Sequence, residues 1–228
     1  MNRSPLDAEH RALGAHMGAF AGWEMPISYG GTVSEHLAVR ERAGVFDVSH
    51  LGKILVAGDG ARALLDRALT NRMLDLEDGR ARYTLMLDVD GGIVDDMIVY
   101  GLGDEMLVVP NASNVDEVER RLRDTPGAGE VSIRRSNDAI VALQGRESRA
   151  ILERVHPGVP ALGYMRVAFA EPYGVARSGY TGEHGYEIFA RPEDAPVLWK
   201  AILAAGVVPC GLAARDTLRL EMGYPLHG

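Results

Sequence analysis

The sequence predicts an α+β protein with mixed and antiparallel sheets and flanking helices. Three observations carry that expectation. Strand-like runs at 82–87, 93–100 and 106–109 follow one another with short links, as antiparallel neighbours do. Asp90-Gly91 sits between two of these runs and reads as a hairpin turn, because glycine accepts positive φ. Helical periodicities precede and follow the strands instead of alternating with them one for one. The 228 residues, 46% hydrophobic and 25% charged, suffice for one large domain or two small ones with a sizeable core.

Taken in order, residues 6–18 read as a helix with Leu13 and Met17 at i, i+4 spacing. Gly22-Trp23-Glu24-Met25-Pro26 reads as a loop, since Pro26 cannot continue a helix. Residues 32–42 form the next predicted helix, with Val33, Leu37 and Arg40 on one side. Ile54-Leu55-Val56 is a strand leading into a helix over 60–69. After the three strands already named, helices are expected at 115–123, 147–154, 193–205 and 212–222. Further strands are expected at 130–134, 139–143, 173–179 and 185–189. A boundary near Gly145 or Gly158 would divide the chain into 1–145, which holds the hairpin, and 146–228; the pattern also allows discontinuous domains.

The formal net charge of −8 disfavours nucleic acid and anionic membrane as partners, because both select basic surfaces. Arg120-Arg121-Leu122-Arg123 and Arg134-Arg135 read as short solvated faces. A single cysteine, Cys210, forms no internal disulfide, and no apolar run reaches membrane-spanning length. The start of the chain leads into a charged amphipathic stretch, so the expected location is cytoplasmic.

Leu87 to Tyr100 carries the sharpest local signal. On its second strand Ile93, Asp95, Met97 and Val99 share one face, and Val94, Asp96, Ile98 and Tyr100 share the other. Each apolar face thus contains one carboxylate, and burying an unpaired carboxylate costs several kcal/mol. One reading places one aspartate at the sheet rim and pairs the other with an arginine; the other gives the pair a chemical role. With a two- or four-residue loop, Tyr83 falls on the Asp96 face, beside Tyr100, forming an aromatic and acidic group suited to a flat heterocycle. A three-residue loop reverses the grouping.

Five segments in order resemble the aminomethyltransferase family, the T-proteins of the glycine cleavage system. They are Phe20 to Pro26, Gly44-Val45-Phe46-Asp47-Val48-Ser49-His50-Leu51-Gly52, Gly91 to Tyr100, Arg177-Ser178-Gly179-Tyr180-Thr181-Gly182-Glu183-His184-Gly185-Tyr186-Glu187, and Pro209 to Glu221. The resemblance implies a folate-binding fold. It also implies transfer of a methylene group from the aminomethyl-dihydrolipoyl arm of the H-protein to tetrahydrofolate, with release of ammonia and no metal. It assigns Asp96 as catalytic, and Glu187 and Arg215 to folate binding. Asn111, Tyr180, Tyr83, Tyr100 and Leu51 sit where the family lines its folate pocket. Leu51 replaces a usual methionine, Arg72 a usual aspartate and Arg146 a usual proline, and Pro110 is an extra residue before Asn111. The family continues past Gly228 into a C-terminal barrel-like domain, so the expected architecture lacks that domain.

Other functions of the same superfamily are a noncatalytic folate-binding protein and a folate-dependent oxidase or demethylase module. The first carries a cysteine motif where this chain has Ser178 to Glu183, which contains no cysteine. Gly58-Asp59-Gly60-Ala61-Arg62-Ala63 fits G-x-G-x-x-A, with Asp78 20 residues beyond Gly58. The antiparallel signals that follow favour a turn into a helix instead. The seven histidines form no H-E-x-x-H and no cluster with cysteine, so no metal is expected.

Overall fold

A computed structural model describes residues 1–227, with side chains for all of them except Ala170. In chain order the elements are β1 (Asn2–Arg3), α1 (Asp7–Ala12), β2 (His16–Phe20), β3 (Trp23–Ser28), α2 (Thr32–Glu41), β4 (Gly44–Asp47), β5 (Ile54–Ala57), α3 (Ala61–Ala68), β6 (Ala81–Leu87), β7 (Ile93–Leu102) and β8 (Glu105–Val109). They continue with α4 (Val115–Asp124), β9 (Ser132–Arg135), β10 (Ala139–Gln144), α5 (Ser148–Val155), β11 (Val167–Ala170), β12 (Tyr173–Ala176), β13 (Gly185–Ala190), α6 (Ala195–Ala204), β14 (Val208–Pro209) and α7 (Leu212–Glu221). The α+β class holds: most pairings are antiparallel, while β1–β3 and β4–β14 are parallel.

The chain divides into two compact units. One comprises Met1–His50, Asp138–Tyr164 and Ala168–Leu226; the other comprises Leu51–Asn137, Met165–Val167 and His227. The chain re-enters the first unit at Asp138 because β10 pairs with both β4 and β13 there.

The first unit holds a six-stranded sheet in the order β11-β12-β13-β10-β4-β14 and a small sheet β1-β3-β2. Tyr186, Ile188 and Ala190 project from one face of β13 into a core with Val141, Leu143 and Trp199. Glu187 alternates onto the other face. The second unit holds the sheet β6-β7-β8-β5-β9, cored by Ile54, Val56, Met97, Val99, Val108 and Leu122.

Two local expectations change, and the orientation of α2 is fixed. The first helix stops at Ala12, Gly14 turns the chain at φ 71°, and Met17 lies in β2. The segment containing Pro26 is the strand β3; Pro26 pairs with Met17 beside a register shift between His16 and Met17, a place where a missing N–H costs little. On α2 the side that carries Val33 and Leu37 faces outward: Val33 is 73% exposed and Leu37 46%, while Glu35 and Val39 are buried. Glu35 goes inward because Oε1 accepts the backbone N–H groups of Tyr29, Gly30 and Gly31, and Oε2 that of Gly211.

The candidate functional site

The hairpin that carries both aspartates closes through five loop residues, because Leu87 pairs with Ile93. Asp88 holds that loop by accepting from the backbone of Asp90 and Gly92. An odd loop would reverse the face grouping. A bulge at Val94 adds one residue to β7 and restores the parity, so Met86 faces Asp95, Leu85 faces Asp96 and Tyr83 faces Ile98. Tyr83 therefore shares the Asp96 face and donates its hydroxyl to Asp96 Oδ2 at 2.9 Å.

Asp95 is buried and Asp96 is half-buried. The open edge of β7 explains how both are satisfied. β8 pairs with β7 only as far as Ile98–Val109, and Pro110 then has no N–H to continue the ladder. Asn111 takes the place of the missing strand. Its side-chain amide lies 2.9 Å from Asp95 Oδ1 and 3.0 Å from both Asp96 O and Asp96 Oδ1, and its backbone N–H donates to Asp95 Oδ2 at 2.9 Å. Asn114 adds a third donor to Asp95 at 2.9 Å. Burial pushes the Asp95 carboxyl above its ordinary value; the amides of Asn114 and Asn111 oppose this without cancelling it, and the charge of Asp96 adds to it. Tyr100 shares the Asp96 face but is 1% exposed, and Leu51 is half-buried just after β4.

In the first unit, Glu187 is half-buried on β13 and accepts the Ser178 hydroxyl. Arg215 stands in the first turn of α7 with its guanidinium carbon 4.5 Å from the centre of the Tyr180 ring, a cation–π contact. Burial pulls the Arg215 guanidinium below its ordinary value, opposed first by the charge of Glu187. Tyr180 also stacks on Tyr224, with ring centres 5.7 Å apart, and donates its hydroxyl to Pro225 O. A largely apolar cavity of about 320 Å³ lies here, lined by Phe20, Ile27, Tyr180, Leu212, Arg215 and Leu226 among others. That is at the lower end of small-molecule pockets. Arg219 pairs with Asp216 at 2.8 Å, the ordinary i, i+3 contact of a helix surface.

Thus Asp96, Tyr83 and Asn111 are joined by hydrogen bonds within one unit, and Tyr180 and Arg215 by ring contact within the other. Sequence reasoning missed Asn114, Ser178 and Tyr224. Asn114 was within reach of it, since Asn111 and Asn114 stand three apart just after a strand. The bonds of Ser178 and Tyr224 depend on tertiary contacts with no spacing signal.

Competing motifs resolve simply. The strand before Gly58 pairs antiparallel with β8 and β9, which is not the parallel βαβ unit a dinucleotide needs, and Arg62 binds Asp78. The arginines at 120, 121, 123, 134 and 135 are engaged by Glu117, Asp124, Glu119, Asp116 and Glu105. Cys210 is buried, which pushes its thiol up. Among the described residues no group of three or more His, Cys, Asp or Glu is placed to hold a metal ion, and no helix is long and apolar enough to cross a membrane.

Comparison with known proteins adds to this geometry. The family model described as the GCVT N-terminal domain matches residues 6–228. An aminomethyltransferase of Streptomyces avermitilis is 47% identical over 98% of this chain and 63% of its own length. The crystal structure of glycine cleavage system aminomethyltransferase T from Bartonella henselae superposes with a TM-score of 0.94 at 37% identity, covering all of this chain and 64% of that one. The chain therefore spans a little under two thirds of these relatives. A heterotetrameric sarcosine oxidase from Corynebacterium sp. U-96 gives a TM-score of 0.54 at 14% identity, over 82% of this chain and 92% of its own; this likeness is one of fold alone.

Proposed function

The chain belongs to the GCVT N-terminal domain family, and from that premise we propose that it is the folate-binding part of a tetrahydrofolate-dependent aminomethyltransferase of glycine cleavage. The reaction moves a methylene group from the aminomethyl-dihydrolipoyl arm of a lipoylated H-protein to tetrahydrofolate. Ammonia leaves and the arm is released as the reduced dithiol. Such an arm persists in a reducing compartment, and a chain with a single, buried thiol suits the cytoplasm.

The observation that carries the reading is the Tyr83–Asp96–Asn111 group: a half-buried carboxylate held by a hydroxyl and an amide on the hairpin that the resemblance singles out. The other residues suit a folate. The Glu187 carboxylate accepts from the amino and ring N–H edge of a pterin. The Tyr180 ring and the apolar cavity beside it suit a flat aromatic body, and Arg215 suits a carboxylate or a ring face. Asn111, Tyr100 and Leu51 complete the assignment. Tetrahydrofolate supplies the ring nitrogens that accept the methylene group. Asp96 stabilises positive charge that develops as ammonia departs, or takes up the proton released when the new C–N bond forms.

The test is ammonia release from aminomethyl-loaded H-protein, with and without tetrahydrofolate, using the full-length enzyme. Folate-dependent stimulation is expected. Asp96→Asn keeps shape and removes charge, so turnover should fall by about 10²–10⁴-fold with folate binding largely kept. Full activity of that variant would remove Asp96 from the chemistry, and no stimulation by folate in the wild type would remove the function itself.

A further inference from the structure

Two adjacent strand residues point to opposite faces, so one side chain seldom serves both. Here Asn111 does, because it wraps the edge that β8 leaves open. Its amide nitrogen has two protons and three acceptors within 3.0 Å, one on Asp95 and two on Asp96. Geometry alone does not decide which acceptors it serves. Asp95 does, because it grips Asn111 twice, at the backbone N–H through Oδ2 and at the side-chain amide through Oδ1, both at 2.9 Å. Only the second amide proton is left for Asp96. Asn114 braces the same Oδ1 and also reaches Val94 O at 3.2 Å and His227 Nδ1 at 3.0 Å. A continuous line of polar contacts runs Tyr83–Asp96–Asn111–Asp95–Asn114–His227.

We infer that Asp95 is the positioning residue of this site, setting the Asn111 amide so that it donates to Asp96 and holds that carboxylate toward Tyr83. This rests on the proposed role of Asp96 and deepens it. Asp95 is 0% exposed, so it acts through Asn111 and not on substrate. Asp95→Asn replaces one of two acceptor oxygens with a donor, which meets either the Asn111 backbone N–H or the two side-chain amides, so one of the two grips on Asn111 is lost in either orientation. Asn111 is then held at one point instead of two, and its donation to Asp96 is no longer fixed. A merely structural carboxylate in the same unit provides the contrast: Asp66 accepts the backbone N–H groups of Met73 and Leu74.

The experiment compares Asp95→Asn, Asn111→Ala, their double variant and Asp66→Asn in the full-length enzyme, at a temperature where each is folded. Asp95→Asn and Asn111→Ala should each lower kcat by about tenfold or more; the tetrahydrofolate KM should stay within about threefold in Asp95→Asn and rise further in Asn111→Ala, whose side chain is assigned to the folate pocket. The double variant should fall no more than about twofold below Asn111→Ala, because both cut one line of contacts. Asp66→Asn should lower the Tm and leave kcat within about twofold. Losses that multiply in the double variant, or wild-type kcat in Asp95→Asn, overturn the inference. A second readout needs no turnover. The Asn111 side-chain amide protons, followed by NMR, should exchange about tenfold slower than a free amide and lose that protection in Asp95→Asn. Protection that survives Asp95→Asn overturns the inference even in an active enzyme. A wild type without folate-dependent activity overturns the functional reading alone, and the amide measurement still decides the role of Asp95.

Discussion

Asp47 and Asp95 are both aspartates on buried strands, one in each unit, and their carboxyls move in opposite directions. Asp47 ends β4 and is 1% exposed. His10 Nε2 lies 2.8 Å from Oδ2, the Ser4 hydroxyl also donates to Oδ2, and Ser49 donates its backbone N–H and hydroxyl to Oδ1. Burial pushes the Asp47 carboxyl up, but the bond and attraction to His10 and the two serine hydroxyls together carry it below its ordinary value. Asp95 has three donors against the four of Asp47, all of them neutral amides, and burial wins. Donor number is similar; what differs is an imidazole able to carry charge. The first carboxylate locks α1 to β4. The second is kept in a less comfortable state beside the residue proposed to do chemistry, where strain is tolerated for function.

The largest expected effect breaks the Asp47 lock. Asp47→Ala leaves His10 buried against nothing that balances it, while Tyr29 still bonds its Nδ1 at 2.8 Å. Removing one partner of a buried pair costs on the order of 3–5 kcal/mol. Native-state hydrogen exchange should show that loss in the amides of β4 and β10. Unchanged protection there would mean that the Asp47 carboxylate does not hold α1 to β4.

The comparison sharpens with pH. The ordinary carboxyl value is 3.8 for both residues. Asp47, held lower when folded, contributes stability that is present above 3.8 and lost as pH falls through its folded value. Asp95, held higher, contributes stability that is present below 3.8 and lost as pH rises through its folded value. Below pH 3.8, Asp47→Asn should flatten the acid side of the stability curve of its own unit, and above pH 3.8, Asp95→Asn should flatten the fall in the other. Slopes of the same sign for the two variants would erase the distinction.

Why one of these aspartates was legible in the sequence and the other was not follows from what each contact depends on. Alternation along 93–100 separates Asp95 from Asp96 by strand geometry alone. The Tyr83–Asp96 pairing was also reachable, although for an incomplete reason: the loop has five residues, and only the Val94 bulge returns Tyr83 to the Asp96 face. The Asn111 grip was out of reach, because it needs β8 to end at Val109 so that an edge lies open. The Asp47 lock joins Ser4, His10 and Asp47 across loops whose course no periodicity records. The inward turn of Glu35 was hidden for a related reason. Its partners are backbone N–H groups, which every sequence offers and no sequence marks.

The smallest structural effect belongs to Tyr83, and it asks how much of the Asp96 environment the Asp95 grip supplies by itself. Tyr83 is 45% exposed, and its hydroxyl is the second donor to Asp96. Tyr83→Phe removes that donor from a carboxylate water can still reach, so stability should change by less than about 1 kcal/mol. If Asn111 carries most of the orientation, kcat should fall by about threefold, well short of the loss in Asn111→Ala, with tetrahydrofolate KM nearly unchanged. A fall as large as that of Asn111→Ala would mean that the two donors act as one unit. Asp95 would then govern only half of what holds Asp96, and the contrast with Asp47 would narrow to one of charge.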